Sequence, residues 1–236
     1  MQNLIEINNI HHQVNASFAI HIDQLFFQDG PIYAIAGESR AGKTMLLRIL
    51  SLIQPVDEGT VTLFETTARS ARSRVKLRRR LGFMAQRPYL FRGTVAQNVS
   101  LGMEYRGVES GEIQIRIQRL LKEFHLEECA GLPVEQLSEG QRQITAFVRA
   151  VAPYPEVLLL DEPTSNLDQE TYNHLLEYVK MLNEDRGVMV IIATKSRDVI
   201  KRVANITINM RNGKVARILT GEHQTNVGNG KGLRIS

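Results

Sequence analysis

The run Gly37, Glu38, Ser39, Arg40, Ala41, Gly42, Lys43 and Thr44 constrains this chain more than any other feature. It reads G-x-x-x-x-G-K-[ST], and its flanks are the required ones. Residues 31–36 are a short apolar run behind the turn signal Asp29, Gly30, which predicts a buried strand. Residues 45–50 have helical character. Glycines let the loop turn its amide groups inward around phosphate oxygens, and the helix that follows adds the positive end of its dipole. In this setting Lys43 is expected to reach the β- and γ-phosphates of a nucleotide, and Thr44 to hold Mg2+.

Residues 157–160 predict a second buried strand, ending in Asp161, Glu162 and Pro163. Acids at the C-terminal end of a parallel strand stand where α/β folds bind ligands. Asp161 suits the Mg2+ shell, and Glu162 is placed to orient and deprotonate an attacking water. Taken alone, the pair would fit two solvated loop carboxylates equally well.

Two further motifs flank these acids. Leu137, Ser138, Glu139, Gly140 and Gln141 come before them, and Ser165, Asn166, Leu167 and Asp168 follow. In this order the motifs closely resemble the ATP-binding cassette (ABC) ATPase family. Gln86, closing the run 82–86, is similar to the family's Q-loop glutamine, and Asp168 to its D-loop aspartate. The resemblance runs from about residue 5 to residue 221.

The resemblance implies an α/β fold: a P-loop NTPase (RecA-like) core with an antiparallel β subdomain and an inserted α-helical subdomain. One cassette domain is expected over residues 1–222, its core at about 1–86 and 151–222 and its helical subdomain at about 87–150. The implied ligands are ATP and Mg2+. Gly37 to Thr44 in the phosphate loop, with Ser138, Gly140, Gln141 and Asp168, would bind nucleotide. Thr44, Gln86 and Asp161 would hold the metal, and Glu162, Lys195 and Gln86 would be catalytic.

The family also implies a head-to-tail dimer, either of two copies or with a paired ABC subunit. Each ATP would lie between the phosphate loop of one subunit and Ser138 of the other. A signature segment opening a helix, expected here over 141–152, offers a hydroxyl, backbone amides and a helix dipole to a γ-phosphate. Transmembrane permease subunits are the other implied partners, engaging a groove beside the Q-loop where Pro88, Tyr89, Leu90 and Phe91 would be exposed. Core packing of Leu90 or Phe91 is an equal alternative. A helix over 112–126 places Ile113, Ile117, Leu120, Leu121 and Phe124 on one face, as a core stripe.

Three positions depart from the family pattern. Lys195 occupies the place of the usual switch histidine. A lysine offers a charged donor but cannot act as an imidazole does, so hydrolysis is expected to be slow or absent. Glu139 replaces the first signature glycine, bringing a carboxylate near a triphosphate, and Arg40 replaces a glycine common in the family's phosphate loop. The aromatic that stacks on adenine would fall near Val14, with His11, His12 and Phe18 as unassigned candidates.

Composition narrows the function classes. The chain has 236 residues, 43% of them hydrophobic, and no apolar run long enough to cross a bilayer. Its start lacks a signal-peptide pattern, so a cytoplasmic protein is expected, peripheral at the inner face of the membrane through permease subunits. One cysteine, Cys129, excludes an internal disulfide. The net charge of +4 comes from residues 69–80, which hold seven basic side chains and no acid. This run reads first as a solvated helix face and second as a contact for anionic lipid or protein; no nucleic-acid partner is expected, because no aromatics interleave the charges. Residues 223–236 are expected to form a flexible tail.

The leading expectation is the ATPase subunit of a membrane transporter, more readily an importer than an exporter. Residues 90–99 and 104–107 resemble importers of oxyanions such as tungstate. The alternatives are a hydrolysis-weak regulatory or partner subunit, and a soluble ABC ATPase outside transport.

Overall fold

The computed structural model describes residues 3–220 and the backbone of a short strand at His223–Thr225. Two sheets and two helical layers organise it. A four-stranded antiparallel sheet has the order β2-β1-β4-β5, from β1 (Asn3–Asn15), β2 (Phe18–Gln28), β4 (Glu58–Leu63) and β5 (Thr66–Thr67). The central sheet has the order β11-β10-β9-β3-β8-β7-β6. Its parallel part comprises β3 (Ile32–Ala36), β6 (Leu81–Met84), β7 (Val157–Asp161), β8 (Met189–Ala193) and β9 (Ile206–Arg211). β10 (Lys214–Thr220) and β11 (His223–Thr225) extend it antiparallel. Of the residues expected to form a tail, 223–225 make β11, and 226–236 lie outside the described residues.

Every residue of β3, β7 and β8 is buried, as expected of strands covered on both faces. Their alternation divides two cores. Val157, Leu159, Met189 and Ile191 join a core with the antiparallel sheet and with helix α1 (Lys43–Leu50). Leu158, Leu160, Val190 and Ile192 face the other core, with most of the remaining helices. This arrangement is the α/β architecture with an antiparallel β subdomain that the sequence implied.

The helical insertion contains α3 (Val95–Glu104) and α4 (Ser110–Glu123), followed by α5 (Glu139–Val151). α4 starts and stops earlier than the 112–126 expected, because the Glu109 carboxylate caps the Gly111 and Glu112 amides and Phe124 closes the helix. Ile113, Leu120, Leu121 and Phe124 are buried and Ile117 packs against them, so the stripe is core. α5 begins before the expected residue 141. Ser138 and Gln141 form a reciprocal capping box that draws Glu139 and Gly140 into its first turn.

The basic run becomes α2 (Ala71–Arg78), an exposed helix that buries only Leu77. Two of its charges have structural partners. Arg78 donates to the Leu52 carbonyl, and Arg80 pairs with Glu156 while covering the Phe64 ring. Leu90 is core, whereas Tyr89 and Phe91 are exposed and meet edge to face. No helix among the described residues is long and apolar enough to cross a membrane.

Gly213, in the β9–β10 turn, ties three parts together. Its amide donates to the Ala41 carbonyl of the phosphate loop, and its carbonyl accepts from His21 on β2. Its φ is 74°, and a Cβ there would fall 1.9 Å from the Ala19 carbonyl oxygen. Gly213→Ala is therefore expected to cost about 2–4 kcal/mol through left-handed strain and overpacking. Thermal unfolding should show it, and an unchanged melting temperature would contradict this placement.

Candidate functional site

The phosphate loop runs from the end of β3 into α1. Gly37 (φ 148°) and Gly42 (φ 106°) take backbone angles suited to glycine, and a Cβ on Gly37 would lie 2.5 Å from the Met210 carbonyl oxygen. Lys43 is buried and turned back into its own loop, donating to the carbonyls of Gly37 at 2.8 Å and Glu38 at 3.0 Å. The loop is thus shaped around its own ammonium group, which lies on the floor of a cavity of about 650 Å³.

That cavity gathers most of the expected residues. Ser39, Arg40, Ala41, Gly42, Lys43 and Thr44 line it, with Gln86, Asp161, Glu162 and Lys195. β6, β7 and β8 lie side by side, so their C-terminal ends deliver Gln86, the acid pair and Lys195 to one place. This is the ligand edge of a parallel sheet.

Asp161 is 1% exposed, and neither carboxylate oxygen has a hydrogen-bond partner. Burial pushes its pKa above the usual 3.8; the nearby Thr44 hydroxyl and the Lys43 and Arg48 cations pull the other way, and Glu162 adds to the rise. The Thr44 hydroxyl is close enough to act on the carboxyl but does not complete a hydrogen bond in this geometry. A buried, unpartnered carboxylate beside a hydroxyl is a donor set for a hard divalent cation. Without a cation, ionised Asp161 is a liability. Because its folded pKa is raised, the penalty is absent below pH 3.8 and grows as pH rises through the raised value. Asp161→Asn is accordingly expected to stabilise the ligand-free chain at pH 7 and to leave it nearly unchanged near pH 3.5. Melting curves at the two pH values check this, and equal shifts would contradict it.

Glu162 lies at the turn out of β7, with φ 46° and its amide bonded to the Ala193 carbonyl. Its carboxylate is held on both oxygens, by the Thr194 hydroxyl at 3.0 Å and by the Lys195 backbone amide at 3.0 Å. Thr194 is fully buried, and its oxygen also accepts from the Ser196 amide. The backbone at the switch position therefore orients Glu162, which leaves the exposed Lys195 side chain free to face the cavity.

Ser138, Gly140, Gln141 and Asp168 are not brought to this cavity. They line a separate concavity of about 740 Å³. There the Ser138 hydroxyl oxygen accepts from the Gln141 amide, so its own proton remains available to an incoming acceptor. Asp168 caps α6 (Gln169–Glu184), and bonds from the Thr171 amide and hydroxyl hold its carboxyl below the usual range.

The sequence alone leaves some contributors unassigned. The β1–β2 turn brings Asn15, Ser17 and Phe18 to the mouth of the first cavity, whereas Val14, His11 and His12 do not line it. His12 is instead buried 3.2 Å from Asp57, and His11 packs edge-on against His21. Gln143 escapes sequence reasoning altogether. It is buried on α5 and donates to the Glu162 and Pro163 carbonyls and to the Ser165 hydroxyl, tying the signature helix to the acid pair. An uncharged polar residue inside the apolar face of α5 is its only signal.

A family model described as ABC transporter matches residues 21–165. A methionine import ATP-binding protein of Rhodococcus jostii is 38% identical over 189 residues, covering 79% of this chain and 56% of that protein. One from Legionella pneumophila is 31% identical over 215 residues, covering 90% and 63%. The chain belongs to the ABC transporter family. It spans a little over half the length of these curated relatives. The dimeric structure of a bacterial ABC transporter cassette matches with a TM-score of 0.84 at 27% identity, covering 92% of this chain and 98% of that one. A dimeric cassette in a post-hydrolysis state, bound to ADP and Pi, matches with a TM-score of 0.83 at the same identity and coverage. ABC family membership gives the two concavities a common reading, because each holds part of the family's order of motifs.

Proposed function

We propose that this chain is the ATP-binding and ATP-hydrolysing subunit of an ABC importer, working as a pair with a second cassette and attached to the membrane through permease subunits. The observation that carries the reading is the convergence of the phosphate loop, Gln86, Asp161, Glu162 and Lys195 on one cavity. Import is supported by relatives named for methionine import. The oxyanion resemblance rests on residues 90–99 and 104–107, which lie mainly in α3 and the loops flanking it, away from the nucleotide cavity. In this reading cargo recognition belongs to other subunits.

On nucleotide binding, Lys43 releases the carbonyls of Gly37 and Glu38 and turns to the phosphates, while the loop amides and the α1 dipole hold the remaining charge. Phe18 offers its ring to the base at the cavity mouth. Thr44, Asp161 and Gln86 would hold Mg2+, which when bound screens the phosphate charge and polarises the γ-phosphoryl group. Glu162, aimed by Thr194 and the Lys195 amide, accepts the proton of the attacking water. Lys195 supplies a positive donor to the γ-phosphate.

A second reading, a hydrolysis-weak partner subunit, is favoured by one feature: each Glu162 carboxylate oxygen already accepts a hydrogen bond while the switch position holds no imidazole. Steady-state ATP turnover by purified variants separates the two. Because the clamp on Glu162 uses the Lys195 backbone, Lys195→Ala removes only the ammonium and is expected to lower turnover about 10²–10³-fold. Lys195→His is expected to raise it. A negligible parental rate that neither variant changes supports the partner subunit, and a substantial rate insensitive to Lys195→Ala contradicts the role given to this side chain.

A further inference from the structure

Two of the departures from the family pattern carry opposite charges, and each belongs to a motif that one chain keeps apart from the other. Arg40 lies in the phosphate loop and lines the first cavity; Glu139 opens α5 between Ser138 and Gly140, which line the second. Both side chains are exposed. Among the described residues, neither makes an ion pair.

Glu139 has a local reason for its place, since a carboxylate in the first turn of a helix is favoured by the dipole. Arg40 has none. Its φ of 65° is a left-handed conformation that suits glycine and costs a side-chain-bearing residue strain. The loop's own folding therefore gives no reason for an arginine here, and its exposed guanidinium is free to act outside the loop. The charge problem at the signature supplies a role. A bare carboxylate brought against a triphosphate would repel it, and a guanidinium from the opposing loop would cancel the repulsion.

We propose that Arg40 of one copy and Glu139 of a second copy of this chain form an ion pair across the paired-cassette interface, which makes the chain's partner another copy of itself. The inference rests on the paired reading above. Two-fold symmetry would supply the contact twice, once at each nucleotide, so the chain is complementary to itself at this point. Opposing charges of this kind also suppress wrong partners, because a cassette with glycine at both positions leaves each charge unmatched.

Charge reversal tests it, in the Glu162→Gln background with Mg-ATP, by sedimentation. Arg40→Glu alone places like charges at both contacts, and so does Glu139→Arg alone. Each is expected to weaken self-association about 100-fold, less at high salt. An equimolar mixture of the two variants should recover the dimer, because a mixed pair has one contact between two native side chains' replacements and one between the native residues, each with an acid facing a base. A role confined to one chain cannot produce that recovery. Failure of the mixture to exceed either variant overturns the ion pair while leaving the paired reading intact. The comparison is made at ATP concentrations that titration shows to saturate every chain, so that a loss of self-association is not a loss of nucleotide. A Glu162→Gln parent that stays a single chain with Mg-ATP overturns both.

Discussion

Lys43→Ala is expected to lower ATP affinity by about 150-fold. Among the described residues, Lys43 is the lysine whose ammonium is already buried on the cavity floor, bonded to the Gly37 and Glu38 carbonyls. The nucleotide loses a charge-assisted partner for its β/γ-phosphates; the variant has no bonds to the Gly37 and Glu38 carbonyls to break on binding, which offsets part of that loss. Hydrogen bonds to charged groups contribute about 1.5–3 kcal/mol each, and a loss near 3 kcal/mol gives the stated ratio. Equilibrium titration with a fluorescent ATP analogue measures it. An affinity within a few-fold of the parent would mean that the phosphates bind elsewhere, and the cavity would lose its assignment.

Glu162→Gln is expected to slow hydrolysis about 10³-fold and to leave ATP affinity within a few-fold. The substitution keeps shape and most of the local bonding. The amide oxygen can still accept from the Lys195 amide, and the amide nitrogen can donate to the Thr194 oxygen. What is lost is the proton acceptor. Single-turnover kinetics separate binding from chemistry, and a variant hydrolysing at the parental rate would remove Glu162 from its proposed role. Thr194→Val gives a companion measurement. It leaves the carboxylate but removes one of its two anchors, so turnover should fall less than with Glu162→Gln.

These expectations draw on different depths of legibility. The phosphate loop and the acid pair could be read from the sequence because their chemistry is local: glycines at fixed offsets, apolar strands before them, a helix after. The buried strands at residues 31–36 and 157–160 were legible too, since coverage on both faces accommodates such apolar runs, but the two cores that they divide were not. Contacts made between distant segments were not legible. Gln143 reaches residues on a different element, Gly213 joins a distal turn to Ala41 and His21, and Thr194 meets Glu162 only because β7 and β8 are neighbours. Phe18 could not be separated from His11, His12 and Val14 by counting back from Gly37, because irregular pairing at Gln13/Asn15 makes the turn depart from a simple ladder. Helix ends shifted for a similar reason, as the caps at Glu109 and Ser138 outweighed apolar periodicity.

The separation of Ser138 from the phosphate loop is the central structural fact, because under the proposed function it leaves one chain with two incomplete halves of a nucleotide site. Light scattering on the Glu162→Gln chain tests this most directly. With Mg-ATP the account predicts twice the single-chain mass, falling to the single-chain mass with Mg-ADP or without nucleotide. A single-chain mass in saturating Mg-ATP, with nucleotide shown to be bound, would contradict it.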